Sequence, residues 1–182
     1  PPYRPDGREG DALRALLDLA EREGCGVDLH VDESAQPPPR GLLLLHSLLR
    51  DRRPNVPVTA SHASSMGLLG NRALRRLAEA LAEAEVGVVA LPTTNLWLLD
   101  RHPERTPSRR PQAPIQQLQA AGVTVAIGGD NVQDAWFPGG DFDPIELIRL
   151  ATLTSHVLPW RRAGLAPLTT APARLLHLPW DG

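Results

Sequence analysis

The sequence has little of several residue types that mark particular classes of protein. Cys25 is the only cysteine among 182 residues, which excludes intrachain disulfides and zinc sites built from several thiolates. No apolar run approaches the roughly 20 residues of a membrane-spanning helix, and the N-terminus carries no signal-peptide pattern. A net charge of −2 provides no general attraction to nucleic acid or to anionic membranes. These absences predict a cytoplasmic protein whose partner is neither a nucleic acid nor a membrane.

The remaining composition is that of an ordinary globular domain. Hydrophobic residues make up 42% of the chain and charged residues 22%, and the length suits one domain with a substantial core. Residues 1–10 are predicted to form a loop or linker. Because the chain opens on Pro1-Pro2 without a methionine, we expect it to be part of a longer protein.

Amphipathic segments alternate with short apolar runs along the chain, which predicts an α/β fold. The predicted helices span residues 11–23, 41–50, 71–84, 114–121, 143–157 and 172–176, and the predicted strands span residues 26–30, 58–61, 86–91 and 123–127. Asn71 is predicted to cap the third helix, and Asp143 followed by Pro144 marks another helix start. A long loop is predicted from Thr93 to Ala113, because prolines and charged residues interrupt any periodicity there. Successive strand ends are about one βα unit apart, which predicts parallel strands with right-handed crossovers.

Three of the predicted strands end in residues that bind metals or move protons. The strand over residues 26–30 ends at His30, with Glu33 three residues further on. The strand over residues 58–61 leads directly into His62. The strand over residues 123–127 is followed, after two glycines, by Asp130. The carboxyl ends of parallel strands meet at one edge, where α/β proteins build their sites. We therefore expect these side chains to form one site.

The residue types at this edge suit metal-assisted hydrolysis. His30 and Asp130 could both bind one divalent cation, zinc or iron. Glu33 could act as a general acid or base, and His62 could hydrogen-bond an attacking hydroxide or a developing oxyanion. Asp130 could also act in catalysis by taking a proton from the metal-bound water. Taken singly, each residue has a plainer interpretation as a structural histidine, a turn aspartate or a solvated glutamate. Their joint occurrence at successive strand ends favours a site.

Four motifs in order and at matching spacing resemble the cytosine deaminase family of the amidohydrolase superfamily. The motifs are His30-Val31-Asp32-Glu33, Ser61-His62, Leu91-Pro92-Thr93-Thr94-Asn95-Leu96, and Gly129-Asp130-Asn131-Val132 with Asp134 and Trp136. The similarity spans about residues 11–178. It implies the C-terminal half of a metal-dependent hydrolase (β/α)8 barrel, with strands five to eight and their helices forming one partial domain over residues 1–182.

The resemblance also implies roles for single residues. His30 is similar to the fifth-strand metal ligand of the family and Asp130 to the eighth-strand ligand. Glu33 is similar to the residue that protonates the substrate ring, and His62 to the histidine that orients the attacking metal-bound hydroxide. Trp136 corresponds to a residue of the substrate pocket. The implied reaction is hydrolytic deamination of a small nitrogen heterocycle with one divalent zinc or iron ion.

Two features depart from the family pattern. No His-x-His, the source of two further metal ligands in the family, occurs anywhere in the chain. Asn131, a predicted substrate-binding residue, lies where cytosine deaminase has a second aspartate. Because a neutral amide would change the hydrogen bonding to the substrate ring, deaminases of other nitrogen heterocycles fit the resemblance as well. Four strands cannot close an eight-stranded barrel, so we expect a missing N-terminal half or a homo-oligomer to complete it. The alternative is a half-barrel that is catalytically incomplete on its own. A zinc nucleobase deaminase with a Cys-x-x-Cys signature is excluded by the single cysteine.

Overall fold

A computed structural model describes residues 8–161 and 163–179, in which helices and parallel strands alternate. Their bounds are α1 Glu9–Glu23, β1 Val27–Val31, α2 Arg40–Asp51, β2 Val58–His62, α3 Asn71–Glu83, β3 Gly87–Ala90, α4 Pro92–Leu98, α5 Ile115–Ala120, β4 Val125–Ile127, α6 Pro144–Ser155 and α7 Thr170–Leu175. Short 3-10 turns cover Ser64–Leu68 and Ala166–Leu168. Residues 1–7 of the predicted loop lie outside the described part. The last two residues of the predicted loop 1–10 belong to α1.

The four strands form one parallel sheet in the order β1-β2-β3-β4. The pairing runs in register to the carboxyl ends, where Val31 pairs with His62 and Ala90 with Ile127. Sequential neighbours joined by helical crossovers are the expected arrangement for βα units. All four strands therefore end at one edge, as the sequence predicts.

The core lies between the sheet and its covering helices. One face of β1 is buried through Val27 and Leu29, whereas Asp28 and His30 on the other face are exposed. Strand β1 is therefore covered on one face only. The face that is not covered carries a polar contact, since the Ser61 hydroxyl donates to the Asp28 carboxylate at 2.8 Å.

The uncovered face of the sheet borders a cavity of about 490 Å³. Residues of all four strands line it together with the C-terminal helix α7, and they include Asp28, Thr59, Val89, Ala126 and Leu175. An open parallel sheet leaves such a concave face because no further strands curve around to fill it. The half-barrel expected from the sequence accounts for this shape.

Two helix ends follow the usual capping rules, whereas the start of α3 differs from the prediction. Gly24 closes α1 in the left-handed conformation with φ of 65°, which glycine adopts without steric cost. The Asp143 side chain accepts a hydrogen bond from the Ile145 amide and Pro144 takes the first helical position, as predicted. Asn71 is not the cap of α3: Gly70 holds that position, and no side-chain hydrogen bond caps α3 within the described residues.

The predicted loop over residues 93–113 is wrong in its first part. Helix α4 begins at Pro92 and ends at Leu98. Proline at the first helical position starts a helix there because its missing amide hydrogen would have no partner anyway. The rest is an irregular loop held by the Asp100 carboxylate, which accepts hydrogen bonds from the Ser108 and Arg109 amides at 2.6 and 2.9 Å. These hydrogen bonds lower the pKa of Asp100.

No helix within residues 8–161 and 163–179 is both long enough and apolar enough to cross a bilayer.

Gly67, in the 3-10 turn after β2, packs closely against the backbone of Gln112. A Cβ atom on Gly67 would lie 2.4 Å from the carbonyl oxygen of Gln112, which a rigid backbone cannot accommodate. We expect Gly67→Ala to lower the free energy of unfolding by about 1–3 kcal/mol, measured by urea denaturation. Gly10→Ala is the control, because a Cβ there meets only Leu44 at 3.7 Å and should leave stability equal or slightly higher. Equal stability of the two variants would contradict the close contact.

Candidate active site

The carboxyl ends of β1, β2 and β4 place the predicted site residues along one rim. His30 lies next to the end of β1, His62 is the last residue of β2, and Asp130 follows β4 after two glycines. Glu33 lies in the loop that leaves β1. The parallel register carries these residues to the same edge, although 100 positions of sequence separate the first from the last.

His62 is the centre of this arrangement and is almost fully buried, with 2% of its surface exposed. Its Nε2 atom lies 3.0 Å from Nδ1 of His30, and the two rings meet edge to face with centroids 4.9 Å apart. On the opposite side of the ring, Nδ1 lies 2.9 Å from Oδ1 of Asn95. Both ring nitrogens of His62 are therefore engaged, which fixes the orientation of the imidazole.

Two carboxylates approach the same imidazole. Oε1 of Glu33 lies 3.7 Å from Nδ1 of His62, and Oδ2 of Asp130 lies 3.9 Å from Nε2. The Asp130 side chain is 17% exposed and the Glu33 side chain 33% exposed. The structure thus brings His30, Glu33 and Asp130 around the buried His62. Their individual roles remain predictions.

The pKa of Glu33 is raised above the ordinary value for a glutamate. Burial is the largest cause, because it disfavours the charged carboxylate. The nearby Asp130 carboxylate adds to the rise, while His62 and His30 oppose it. A glutamate that holds its proton more tightly than in water is suited to donate that proton to a substrate.

The backbone is left-handed at several non-glycine residues on the rim. Asp32, His62, Ala63 and Asp130 have φ of 59°, 74°, 51° and 63°. Such conformations cost on the order of 1 kcal/mol or more each and cluster at functional sites. Four of the ten left-handed non-glycine residues in the described part of the chain therefore lie where it leaves β1, β2 and β4, next to the candidate site.

Asp32 has a structural task that the sequence did not reveal. Its carboxylate accepts hydrogen bonds from the Gly41 and Leu42 amides at 3.0 and 2.8 Å. It therefore satisfies the free amides at the start of α2 from outside the helix. Burial raises the pKa of Asp32 although these two hydrogen bonds act in the opposite direction. This contact ties the loop carrying Glu33 to α2.

The loop after β4 is organised by Asp134. Its carboxylate accepts from the Trp136 and Phe137 amides, both at 2.8 Å, and from the Asn131 side-chain amide at 2.6 Å. One N–H of the Asn131 side-chain amide is thus engaged within the loop, which leaves its second N–H and its carbonyl oxygen for a substrate. The side chain of Trp136 lies in the open, with 60% of the residue exposed. The substrate contacts predicted for Asn131 and Trp136 remain predictions.

Thr94 and Asn95, two buried residues at the start of α4, also contact the site. They lie within one of the predicted motifs, but the sequence predicts no role for either residue. Asn95 contacts His62. The Thr94 hydroxyl donates to the Gly129 carbonyl at 3.3 Å and accepts from the backbone N–H of Asn131 at 3.2 Å. The first turn of α4 therefore links the end of β2 to the loop after β4. The sequence signal was the proline at position 92, which starts a helix directly at the end of β3.

The side chains at the rim fit a divalent metal in kind but not in number. His30 and Asp130 supply an imidazole and a carboxylate, which zinc and iron both accept. Within the described residues, no group of three or more His, Cys, Asp or Glu side chains is arranged to hold a metal ion. Any metal bound here needs further ligands besides these two.

Residues 2–180 match the Amidohydrolase family, and the chain belongs to that family. It is 34% identical to a pterin deaminase from Rhizobium rhizogenes over 92% of this chain and 38% of that protein. Among solved structures, a 5-methylcytosine deaminase from Klebsiella pneumoniae with bound 5-fluorocytosine matches with a TM-score of 0.83, 30% identity and 93% coverage of this chain. An N-isopropylammelide isopropylaminohydrolase from Burkholderia multivorans matches with a TM-score of 0.70, 29% identity and the same coverage.

These comparisons confirm the predicted resemblance to cytosine deaminase-like amidohydrolases. They also confirm the fold class, in which four parallel strands and their helices match part of an amidohydrolase barrel. The chain spans about two fifths of the length of the relatives it matches: 38% of the pterin deaminase and 41% of the 5-methylcytosine deaminase.

The raised pKa of Glu33 predicts a pH-dependent stability difference for Glu33→Gln in the metal-free protein. A carboxyl group whose pKa is higher in the folded than in the unfolded state destabilises the fold once it is ionised. We expect the variant to match the wild type below the pKa of the unfolded state and to become more stable as pH rises through the folded-state pKa. Urea denaturation at a series of pH values measures this difference.

Glu104→Gln, in the exposed loop between α4 and α5, is the matched control and should show no such divergence. A Glu33→Gln variant that is less stable than the wild type at neutral pH would contradict a net cost of ionising Glu33.

Proposed function

We propose that the chain forms part of an enzyme that hydrolytically deaminates a small nitrogen heterocycle. The observation that carries this proposal is the gathering of His30, Glu33 and Asp130 around the buried His62. Membership of the amidohydrolase family supports the hydrolytic class. The names of the three relatives point to pterin, methylcytosine and ammelide rings, all of them nitrogen heterocycles, and this supports the substrate class.

His30 and Asp130 are the residues that would hold one divalent metal ion, zinc or iron, together with ligands from outside these 182 residues. The ion would supply a Lewis acid that makes water a better nucleophile near neutral pH. Because the chain spans about two fifths of its relatives, we propose that a further segment supplies the missing ligands and completes the barrel. A second copy of the chain is the alternative partner for the open sheet.

Glu33 is the residue that we assign to proton transfer. Its carboxyl group lies at the rim beside His62, and burial favours the protonated form. A substrate ring seated over the rim would accept this proton on a ring nitrogen, which makes the adjacent carbon more susceptible to attack. The resulting carboxylate would take a proton from the attacking water and pass it to the leaving amino group. When the C–N bond breaks and ammonia departs, the second proton of that water restores the Glu33 carboxyl group.

His62 is assigned to orienting the attacking group. Because the residue is buried and Asn95 holds its Nδ1 atom, the ring is oriented in advance. Its Nε2 atom, which faces His30 and Asp130, is the one that would exchange its contact with His30 for one with the attacking group. Trp136 and Asn131, in the loop fastened by Asp134, are assigned to the face and the polar edge of the flat ring.

The assignment of Glu33 predicts the outcome of a turnover assay on the complete protein supplied with zinc or iron. We expect ammonia release from at least one compound in a panel of cytosine, 5-methylcytosine, pterin and aminotriazine rings. Glu33→Gln should lower kcat by roughly 10²–10⁴-fold, because that is the usual contribution of a general acid or base, while metal content stays the same. Glu104→Gln should behave as the wild type.

Two results would overturn this function: no ammonia from any ring of the panel with metal bound, or undiminished turnover by Glu33→Gln.

A further inference from the structure

Asn95 is buried in the first turn of α4 with no exposed surface. Its carbonyl oxygen Oδ1 lies 2.9 Å from Nδ1 of His62, on the side of the imidazole that faces away from His30. The amide nitrogen Nδ2 is also buried and has no hydrogen-bond partner in residues 8–161 and 163–179. A buried donor without a partner costs on the order of 1–3 kcal/mol. Stability alone therefore does not explain why an amide occupies this position.

We propose that Asn95 is a positioning residue that sets which ring nitrogen of His62 carries the hydrogen, and through His62 which nitrogen of His30 stays bare at the rim. The consequence for catalysis rests on the function proposed above, whereas the hydrogen positions themselves do not.

The hydrogen bonds form a chain with one direction. An amide oxygen only accepts, so the contact with Asn95 requires the hydrogen of neutral His62 to sit on Nδ1. Nε2 of His62 then carries a lone pair and accepts from the Nδ1–H of His30 at 3.0 Å. That leaves Nε2 of His30 without a hydrogen, as a nitrogen that binds a metal must be.

The reverse arrangement, with the hydrogen of His62 on Nε2, is disfavoured because the Glu33 carboxylate is a second neighbour of Nδ1. If the Asn95 amide were turned around, its NH2 group would donate to Nδ1 of His62, and that nitrogen would carry no hydrogen. The Glu33 carboxylate, 3.7 Å from the same atom, would then face a lone pair instead of an N–H group. Two oxygen acceptors on one side of the ring favour the hydrogen on Nδ1.

Removing the acceptor without removing the volume tests this role. In Asn95→Leu, Nδ1 of His62 loses its closest partner, so both hydrogen positions become accessible. In Asn95→Asp, an oxygen acceptor stays in place. The control is Asn71→Leu, because Asn71 is an exposed residue in the first turn of another helix, α3, and has no contact with the rim.

The first readout is the hydrogen position itself. Long-range proton–nitrogen correlation spectra of the histidine-labelled, metal-free complete protein distinguish ring nitrogens with and without a hydrogen. We expect the hydrogen of His62 on Nδ1 in the wild type, in Asn95→Asp and in Asn71→Leu, and a mixture of the two forms in Asn95→Leu. A wild-type His62 with its hydrogen on Nε2 overturns the proposal, and so does an Asn95→Leu spectrum identical to that of the wild type.

The second readout is function. We expect Asn95→Leu to weaken zinc affinity or lower kcat by roughly 10–100-fold, the usual effect of losing a residue that orients a metal-binding histidine, with KM little changed. Asn95→Asp should recover most of the loss. If Asn95→Leu does not fold, the wild-type and Asn95→Asp spectra decide the question. If no heterocycle is turned over, the proposed function fails, while the spectra still test Asn95.

Discussion

The parallel register of the four strands is the constraint on which the rest of the structure depends. Each strand pairs with its neighbour in the same direction and the strands end together, so residues far apart in sequence reach one rim. A shift of one residue in a single strand would turn its last side chain to the opposite face. His62 would then leave the rim, and the imidazole that joins the other side chains would be lost.

The rim stores strain that the surrounding contacts hold in place. Left-handed backbone at Asp32, His62 and Asp130 is unfavourable for residues with a Cβ atom. Asp32 is held by the amides of α2, His62 by Asn95, and the loop after Asp130 by Thr94 and Asp134. The polar residues of the rim are therefore oriented by the elements behind them, as a site that must act with fixed geometry requires.

Much of this arrangement could be predicted from the sequence, because short apolar runs ending in His30, His62 and Asp130 at regular spacing already define strands and their ends. The direction of the strands followed from the helical connections between them. The contacts that Thr94 and Asn95 make from α4 could not be predicted, because the sequence after Pro92 predicts a loop. An irregular loop does not determine which residues its side chains contact.

The uncovered face of β1 has a similar explanation. Exposed Asp28 and His30 alternate with buried Val27 and Leu29, yet a short apolar run does not reveal whether one or both faces are covered. That depends on what packs against the sheet, and the chain spans only about two fifths of its relatives. The same limit explains why the sequence predicts two metal ligands and not a full set.

The most direct test of the central claim, that the ends of β1 and β4 converge on one ion, is a double-mutant cycle on metal affinity. Zinc binding to the complete protein is measured by competition with a chromophoric chelator for the wild type, His30→Ala, Asp130→Ala and the double variant. Two ligands of the same ion should show coupled losses, with the double variant differing from the sum of the single effects by more than about 0.5 kcal/mol. Zinc affinity that is unchanged in either single variant, or losses that simply add, would contradict the account.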